Sequence, residues 1–144
     1  TEEQALVSAL SATHTWTADS RHIYIDEGSI AKGLGGFIQF NFARPENVDG
    51  FIQENLTLWK PYFEKTMDSM GMVNWGVGRK LAPLGANWAK VSTWDMFNTL
   101  EDLMKYRIGY KLPADLLKKS KMKDHNPDGF MMTPIFQMIA NSAQ

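Results

Sequence analysis

The amino-acid sequence predicts a soluble, single-domain α+β protein whose central segment, residues 37–139, follows the order β-α-β-β-α-β. Three observations predict this class. Residues 36–43 alternate with the period of two that marks a strand, and a long apolar stripe with the helical period follows them. Two more alternating stretches, at residues 72–79 and 87–94, enclose a segment with turn chemistry, which indicates a hairpin.

The first strand separates its side chains into two sets. Ile38, Phe40 and Phe42 share one face, and Phe37, Gln39 and Asn41 share the other. The helix that follows carries apolar residues mostly three or four positions apart, namely Val48, Phe51, Ile52, Leu56, Trp59, Phe63, Met67 and Met70. Asn47 or Glu46 is its expected N-cap and Gly71 its expected end, whereas Pro61 should kink or split it.

The second half of the chain repeats the pattern of strand, helix and strand. In the stretch 87–94, Trp88, Lys90, Ser92 and Trp94 alternate with Ala89, Val91 and Thr93. A second helix should begin at Asn98 or Thr99, and a short helical piece should cover residues 114–122. The last strand is expected at residues 130–140, at an edge or with a bulge because of Pro134.

Residues 1–36 are predicted to form an N-terminal extension to the main domain, residues 37–144. The extension should contain a short helix at residues 2–10 and a short strand at residues 22–25. The chain begins at Thr1 without the apolar core of a signal peptide, so we expect a cytoplasmic protein, with a cleaved export signal as the alternative.

Composition excludes several classes of function. The absence of cysteine rules out a disulfide framework, a thiolate metal site and a cysteine nucleophile. A net charge of −1 argues against a nucleic-acid partner, and no apolar run approaches the roughly 20 residues of a membrane helix. The three histidines are too scattered to suggest a metal site, so no metal and no cofactor are predicted.

The order strand, long helix, hairpin, helix, strand resembles the ferredoxin-like fold. That resemblance implies a four-stranded antiparallel sheet with both helices on one face. We expect the opposite face to carry a mixture of polar and aromatic side chains that forms the wall of a small-molecule pocket. The candidate ligand-binding residues are Gln39, Asn41, Trp88, Lys90, Ser92 and Trp94.

The chain is also similar to the dimeric α+β-barrel superfamily, over residues 37–139 and including the strand-to-helix passage 92–106. This resemblance implies a homodimer in which two open sheets pack face to face. It also implies a small-molecule-binding protein, of the kind that includes cofactor-independent monooxygenases or isomerases of small aromatic compounds. In such a site Gln39 or Asn41 would orient a ligand oxygen and Lys90 would stabilise an anion; no catalytic residue is assigned.

Two other interpretations stay open. In the first, the aromatic sheet face serves assembly only, and the protein is a non-enzymatic interaction protein without a ligand cavity. In the second, the chain binds haem through His14, His22 or His125, as several members of the superfamily bind haem. Many members carry a histidine just after the second helix, whereas this chain has Tyr106 followed by Arg107.

Overall fold

The computed structural model describes residues 4–5 and 22–139, and it confirms the predicted α+β class. Within these residues, helices pack on one face of an antiparallel sheet. The strands are β1 (Ile23–Ala31), β2 (Phe37–Ala43), β3 (Met72–Ala82), β4 (Val91–Phe97), β5 (Phe130–Met132) and β6 (Ile135–Gln137). The α-helices are α1 (Val48–Glu54), α2 (Lys60–Thr66), α3 (Leu100–Gly109), α4 (Ala114–Lys119) and α5 (Met122–His125). None of the helices in this part of the chain is long and apolar enough to cross a bilayer.

The strands of the sheet lie in the order β1-β3-β4-β2-β5, and β6 also pairs with β2. The described residues form six strands, whereas the sequence predicts four in residues 37–139 and one at residues 22–25. The strand predicted at residues 22–25 continues to Ala31 and pairs with β3 as an edge strand. Pro134 separates β5 from β6, because proline has no N–H to donate to a ladder. Gln4 and Ala5 are helical, and the rest of the helix predicted at residues 2–10 lies outside the described residues.

Residues 48–70 form one helical segment, as the apolar stripe predicts, and Pro61 divides it. Asn47 caps its first turn by accepting a backbone N–H bond of 2.8 Å through its side chain. Between α1 and α2 lies a π turn, in which the Lys60 N–H donates to the Asn55 carbonyl five residues back. Proline cannot donate the α-helical hydrogen bond, and the wider turn accommodates this break without ending the helix.

The apolar core lies between the sheet and the helices α1, α2 and α3. Its fully or nearly fully buried members are Ala43, Phe51, Ile52, Phe63, Met67, Met72, Trp75, Val77, Val91, Phe97 and Leu103. Trp75 of β3 stacks on Phe63 of α2, with ring centroids 5.3 Å apart. Each large side chain buried in this way contributes roughly 1.5–3 kcal/mol, so this layer fixes the position of the helices over the sheet.

The short helices α4 and α5 are held against the long helical segment by the buried carboxylate of Glu54. Its oxygens accept hydrogen bonds from the Ser120 hydroxyl (2.6 Å), the Lys121 backbone N–H (2.9 Å) and the Trp59 indole (3.1 Å). Charge-assisted bonds of this kind are stronger than neutral ones. They bring the segment between α3 and β5 over one side of the sheet, where Met122 helps to close a cavity.

The second strand of the hairpin lies further along the chain than the alternation predicts. Strand β4 covers Val91–Phe97 instead of residues 87–94, and residues 83–90 form the connecting loop. Trp88 and Lys90 are therefore loop residues. The alternation alone misplaces this strand because the loop happens to continue the same apolar and polar rhythm.

The prediction that Gln39 and Asn41 share a sheet face with Ser92 and Trp94 is wrong. In the antiparallel pair of β2 and β4, Gln39 lies opposite Asp95, and Asn41 lies opposite Thr93. Directly opposed residues point to the same face, so Ser92 and Trp94 point to the other one. A one-residue error in the relative alignment of two strands exchanges the faces completely.

Candidate functional site

A cavity of about 260 Å³ lies between the helix-covered face of the sheet and the helices. Its walls are mainly apolar and aromatic, with Trp75 from the sheet and Trp59 and Phe63 from the helical segment. The polar groups that reach it are Asn41, Asn55, Thr93, Asp95 and Tyr106. A small number of polar groups among aromatic side chains is typical of a site for a small molecule.

Strand pairing brings four polar side chains together on the floor of this cavity. Gln39 and Asn41 alternate along β2 on the buried face, and Asp95 and Thr93 lie opposite them on β4. All four are less than a tenth exposed. Hydrogen bonds must compensate for burying so many polar groups, because each unpaired one costs about 1–3 kcal/mol.

The hydrogen bonds form a chain that ends at Asp95. The Gln39 amide donates to Asn41 Oδ1 over 2.8 Å, and the Asn41 amide donates to Asp95 Oδ2 over 2.7 Å. Asn41 also donates to the Thr93 hydroxyl at 3.1 Å. At the outer end, Arg107 donates to Gln39 Oε1 over 2.9 Å. The chain fixes the rotamers of the amide groups and holds the carboxylate at one position.

Arg107 connects the chain to the surface. Its guanidinium also donates to the backbone oxygen of Thr133 at 2.7 Å and to the Thr133 hydroxyl at 2.9 Å. This joins α3 to the connection between β5 and β6. The planar guanidinium thereby fixes the amide oxygen of Gln39 as the acceptor, which leaves the Gln39 amide nitrogen to donate inward.

Asp95 is the electrostatic centre of the cavity. It is 3% exposed, and burial raises the pKa of its carboxyl from 3.8 to about 6, against hydrogen bonds from Asn41, Tyr106 and Gln39 that favour the charged form. The carboxyl is therefore ionised at neutral pH and is more basic than an exposed aspartate. A base of this strength operates near physiological pH.

Tyr106 of α3 stands beside Asp95 as its neutral partner. Burial, and then the charge of Asp95, raise the pKa of the Tyr106 phenol well above its ordinary value. The phenol therefore keeps its proton across the physiological range. The cavity thus holds a carboxylate that accepts a proton and a hydroxyl that donates a hydrogen bond, side by side.

Asn55 reaches the cavity from the first position of the π turn. It is 4% exposed, and its amide donates to the Phe51 carbonyl over 2.9 Å. π turns inside α-helices often lie at functional sites, because they redirect one or two side chains. Here the turn places Asn55 and Trp59 on the roof of the cavity, opposite the polar floor.

The structure separates the six residues that the sequence nominates. Asn41 lines the cavity and Gln39 supports it, while Ser92 and Trp94 lie on the opposite face of the sheet. The Trp94 indole donates to Asn74 over 2.9 Å. Trp88 and Lys90, in the loop, are exposed.

Sequence reasoning misses Asp95, Thr93, Asn55 and Tyr106. One signal for Asp95 is present in the sequence: an acid stands between Trp94 and Met96 in a stretch with strand propensity. A charged residue at an inward position of a strand is costly and is commonly functional. Only the register of β4 with β2 shows which face of the sheet Asp95 occupies, and the sequence does not reveal that register.

No group of three or more His, Cys, Asp or Glu residues in the described ranges is arranged to hold a metal ion. His22 packs edge-to-face on Trp88 with ring centroids 4.7 Å apart, and His125 Nε2 lies 3.7 Å from Glu54 Oε2. His14 lies outside the described residues. Haem binding through one of these histidines stays a prediction.

No family model, curated protein or solved structure matches this chain.

Proposed function

We propose that this protein binds a small aromatic or otherwise apolar molecule between sheet and helices, and that Asp95 takes a proton from it. The reaction class is that of a cofactor-independent isomerase or monooxygenase, both of which begin by deprotonating a carbon acid or a phenol. The observation that carries the proposal is a single buried carboxylate, held by the Asn41 amide at 2.7 Å, on the floor of an aromatic cavity.

The chemistry follows from the two groups that meet there. A C–H or O–H bond of the substrate breaks, the proton passes to Asp95, and the electron pair remains on the substrate as an enolate or phenolate. The Tyr106 hydroxyl donates its one proton to the Asp95 carboxylate before the reaction; once Asp95 has taken the substrate proton, that O–H turns to the oxyanion and stabilises it. Trp59, Phe63 and Trp75 exclude water, which strengthens both interactions.

The proposal is tested first by binding and then by proton exchange. A panel of quinols and short aromatic ketones is screened by thermal shift, and the binders are incubated in D₂O while loss of the acidic C–H signal is followed by NMR. Asp95→Asn should lower the rate of catalysed exchange by about 10²-fold or more, while ligand binding persists. Asp115→Asn, on the exposed surface of α4, is the matched control and should exchange at the wild-type rate.

Two results contradict the proposal. One is that no compound of the panel raises the melting temperature. The other is that Asp95→Asn, shown to be folded by circular dichroism, exchanges as fast as the wild type.

We also propose that two copies pair through their open sheets, in a ferredoxin-like arrangement built on β2, β3, β4 and the last strands. A row of aromatic rings supports this. Phe40 stacks on Phe42 with centroids 5.8 Å apart, and Phe136 packs on Phe40 edge-to-face at the same distance. Phe136 is 51% exposed, and a large apolar patch of this kind is typical of an interface.

The oligomer is tested by light scattering. The wild type should have the mass of a dimer, and Phe40→Glu should have the mass of a monomer with an unchanged circular dichroism spectrum. A monomeric wild type at high micromolar concentration would refute the pairing and would leave the Asp95 cavity proposal standing. The same face also supports the alternative of a protein that only assembles; a failed ligand screen together with a dimer would favour that alternative.

A further inference from the structure

On the face of the sheet opposite Asp95 lies a second cavity, of about 280 Å³. Its one lysine is Lys80, from β3, which is 4% exposed. The Lys80 ammonium has no hydrogen-bond partner in the structure. Among the described residues, no other buried side-chain nitrogen or oxygen lacks a hydrogen-bond partner. Native proteins pair nearly all such groups, so this one requires an explanation.

The walls of this cavity are mainly aromatic and apolar, with His22 and Asn87 as the other polar residues. The Lys80 nitrogen lies 4.7 Å from the centroid of the Trp88 ring and 5.9 Å from that of Tyr24. Phe42 and Met132 add apolar surface. The ring faces attract a cation, but they replace only part of the hydration that burial removes. Burial accordingly lowers the pKa of Lys80.

The preceding residue of β3, Arg79, is a cation whose charge is neutralised by carboxylates. Arg79 points to the other side of β3 and contacts two carboxylates, Glu27 at 2.8 Å and Asp49 at 2.7 Å. By contrast, neither Asp nor Glu is among the described residues that line the Lys80 cavity. Among the described residues, carboxylates therefore neutralise Arg79, whereas none lines the cavity of Lys80.

The backbone of Lys80 is held in place on both sides. Its N–H donates to the Lys90 carbonyl over 2.8 Å, and it lies opposite Tyr24 in the register of β1 and β3. The strand therefore carries one ammonium into a cavity with mainly aromatic and apolar walls.

We propose that this cavity is a binding site for a small monocarboxylate with an apolar body, whose carboxylate pairs with Lys80 and whose body packs on Trp88 and Phe42. The site is separate from the Asp95 cavity and does not depend on the function proposed there. A single carboxylate matches the single ammonium, and the apolar body matches the ring and methionine walls. A polyanion would bring more negative charge than the one ammonium of Lys80 balances.

The test compares 3-phenylpropionate with its uncharged amide by isothermal titration calorimetry on the full chain. The wild type should bind the carboxylate at least about tenfold more tightly than the amide. Lys80→Met keeps the length and apolar stem of the side chain and removes the charge, and it should abolish this preference. Lys90→Met, in the adjoining exposed loop, is the matched control and should retain the wild-type preference.

The comparison of carboxylate with amide on the wild type needs no variant, so the proposal can fail even if Lys80→Met does not fold. Absence of carboxylate binding, equal binding of carboxylate and amide, or a preference that survives in Lys80→Met each overturns it. Asp95→Asn should bind 3-phenylpropionate as the wild type does. If instead Asp95→Asn alone changes the affinity, the ligand occupies the other cavity and the proposal is wrong.

Discussion

Each face of the sheet buries an ionisable strand residue, Asp95 on one and Lys80 on the other, and the two are surrounded in opposite ways. Asp95, beneath the helices, is 3% exposed and accepts hydrogen bonds from neighbouring polar groups. Lys80 lies on the opposite face, which carries Phe40, Phe42 and Trp94 and is called the open face; it is 4% exposed and has no hydrogen-bond partner in the structure. The covered face therefore satisfies its charge with hydrogen bonds, whereas the charge of Lys80 has none from the described residues.

This difference separates two kinds of site. A buried carboxylate held by amides keeps its position and gains basicity from burial, which suits proton transfer. An ammonium among aromatic rings is destabilised until an anion arrives, which suits binding. Substitutions that alter one face and leave the other intact test the distinction directly.

The largest effect should come from Asp95→Asn, measured as the free energy of unfolding against pH. Because the pKa of Asp95 is raised from 3.8 to about 6 on folding, the folded protein binds a proton more tightly than the unfolded chain. This group therefore favours folding at low pH, and its contribution falls as the pH rises from about 4 to about 7. At about 1.4 kcal/mol per pKa unit, the change amounts to about 3 kcal/mol.

Urea unfolding at several pH values gives this quantity as the difference between wild type and Asp95→Asn. The subtraction removes the carboxylates common to both proteins, such as those that pair with Arg79. Relative to the variant, the wild type should lose stability across that range and should then level off. A difference that stays constant, or that grows in favour of the wild type with rising pH, would refute the raised pKa.

A smaller effect should come from Asn41→Leu, which removes the amide donor to Asp95. The buried carboxylate loses a charge-assisted hydrogen bond, so the protein should lose about 2 kcal/mol at pH 8. The loss should shrink at pH 5, where Asp95 is largely protonated. Denaturant unfolding at the two pH values measures both numbers.

The matched control is Asn74→Leu on the open face. Asn74 accepts a hydrogen bond from the Trp94 indole, a neutral and half-buried pair. Its removal should cost about 1 kcal/mol or less, equally at both pH values. Equal losses for the two asparagines would mean that the Asp95 charge adds nothing to the bond.

The same two faces show what the sequence predicts and where it fails. Periodicity predicts the long helical segment, its Asn47 cap, its division at Pro61 and the Thr99 cap of α3, because each of these depends on residues close in the chain. The order of strands and helices over residues 37–139 follows from the same local signals. These features follow from the side chains and backbone of residues close in sequence.

The site depends on contacts between distant residues, and local signals do not contain them. Asn41 donates to Asp95 across 54 positions of sequence, and the strand register that joins them is set by packing and by the length of the loop 83–90. That loop continues the strand rhythm, so the alternation predicts β4 too early. With the faces exchanged, Gln39 and Asn41 are grouped with Ser92 and Lys90 instead of with Thr93 and Asp95.

Lys80 illustrates the same limit on the open face. The sequence nominates Lys90 as the cation of the site, because it alternates with Trp88 and Trp94. In the structure Lys90 is exposed, while Lys80, ten residues earlier, lies under the Trp88 ring. Only the folding of the loop back onto β3 brings Trp88 and Lys80 together.

The smallest effect should come from Lys80→Met, and its sign is the informative part. Removing an unpaired buried ammonium and keeping its apolar stem should raise the free energy of unfolding by about 1 kcal/mol. Lys90→Met should change stability by less than about 0.5 kcal/mol, as is usual for an exposed side chain. Urea unfolding without ligand measures both values. Clear destabilisation by Lys80→Met would mean that the ammonium is already satisfied, and the contrast between the two faces would fail.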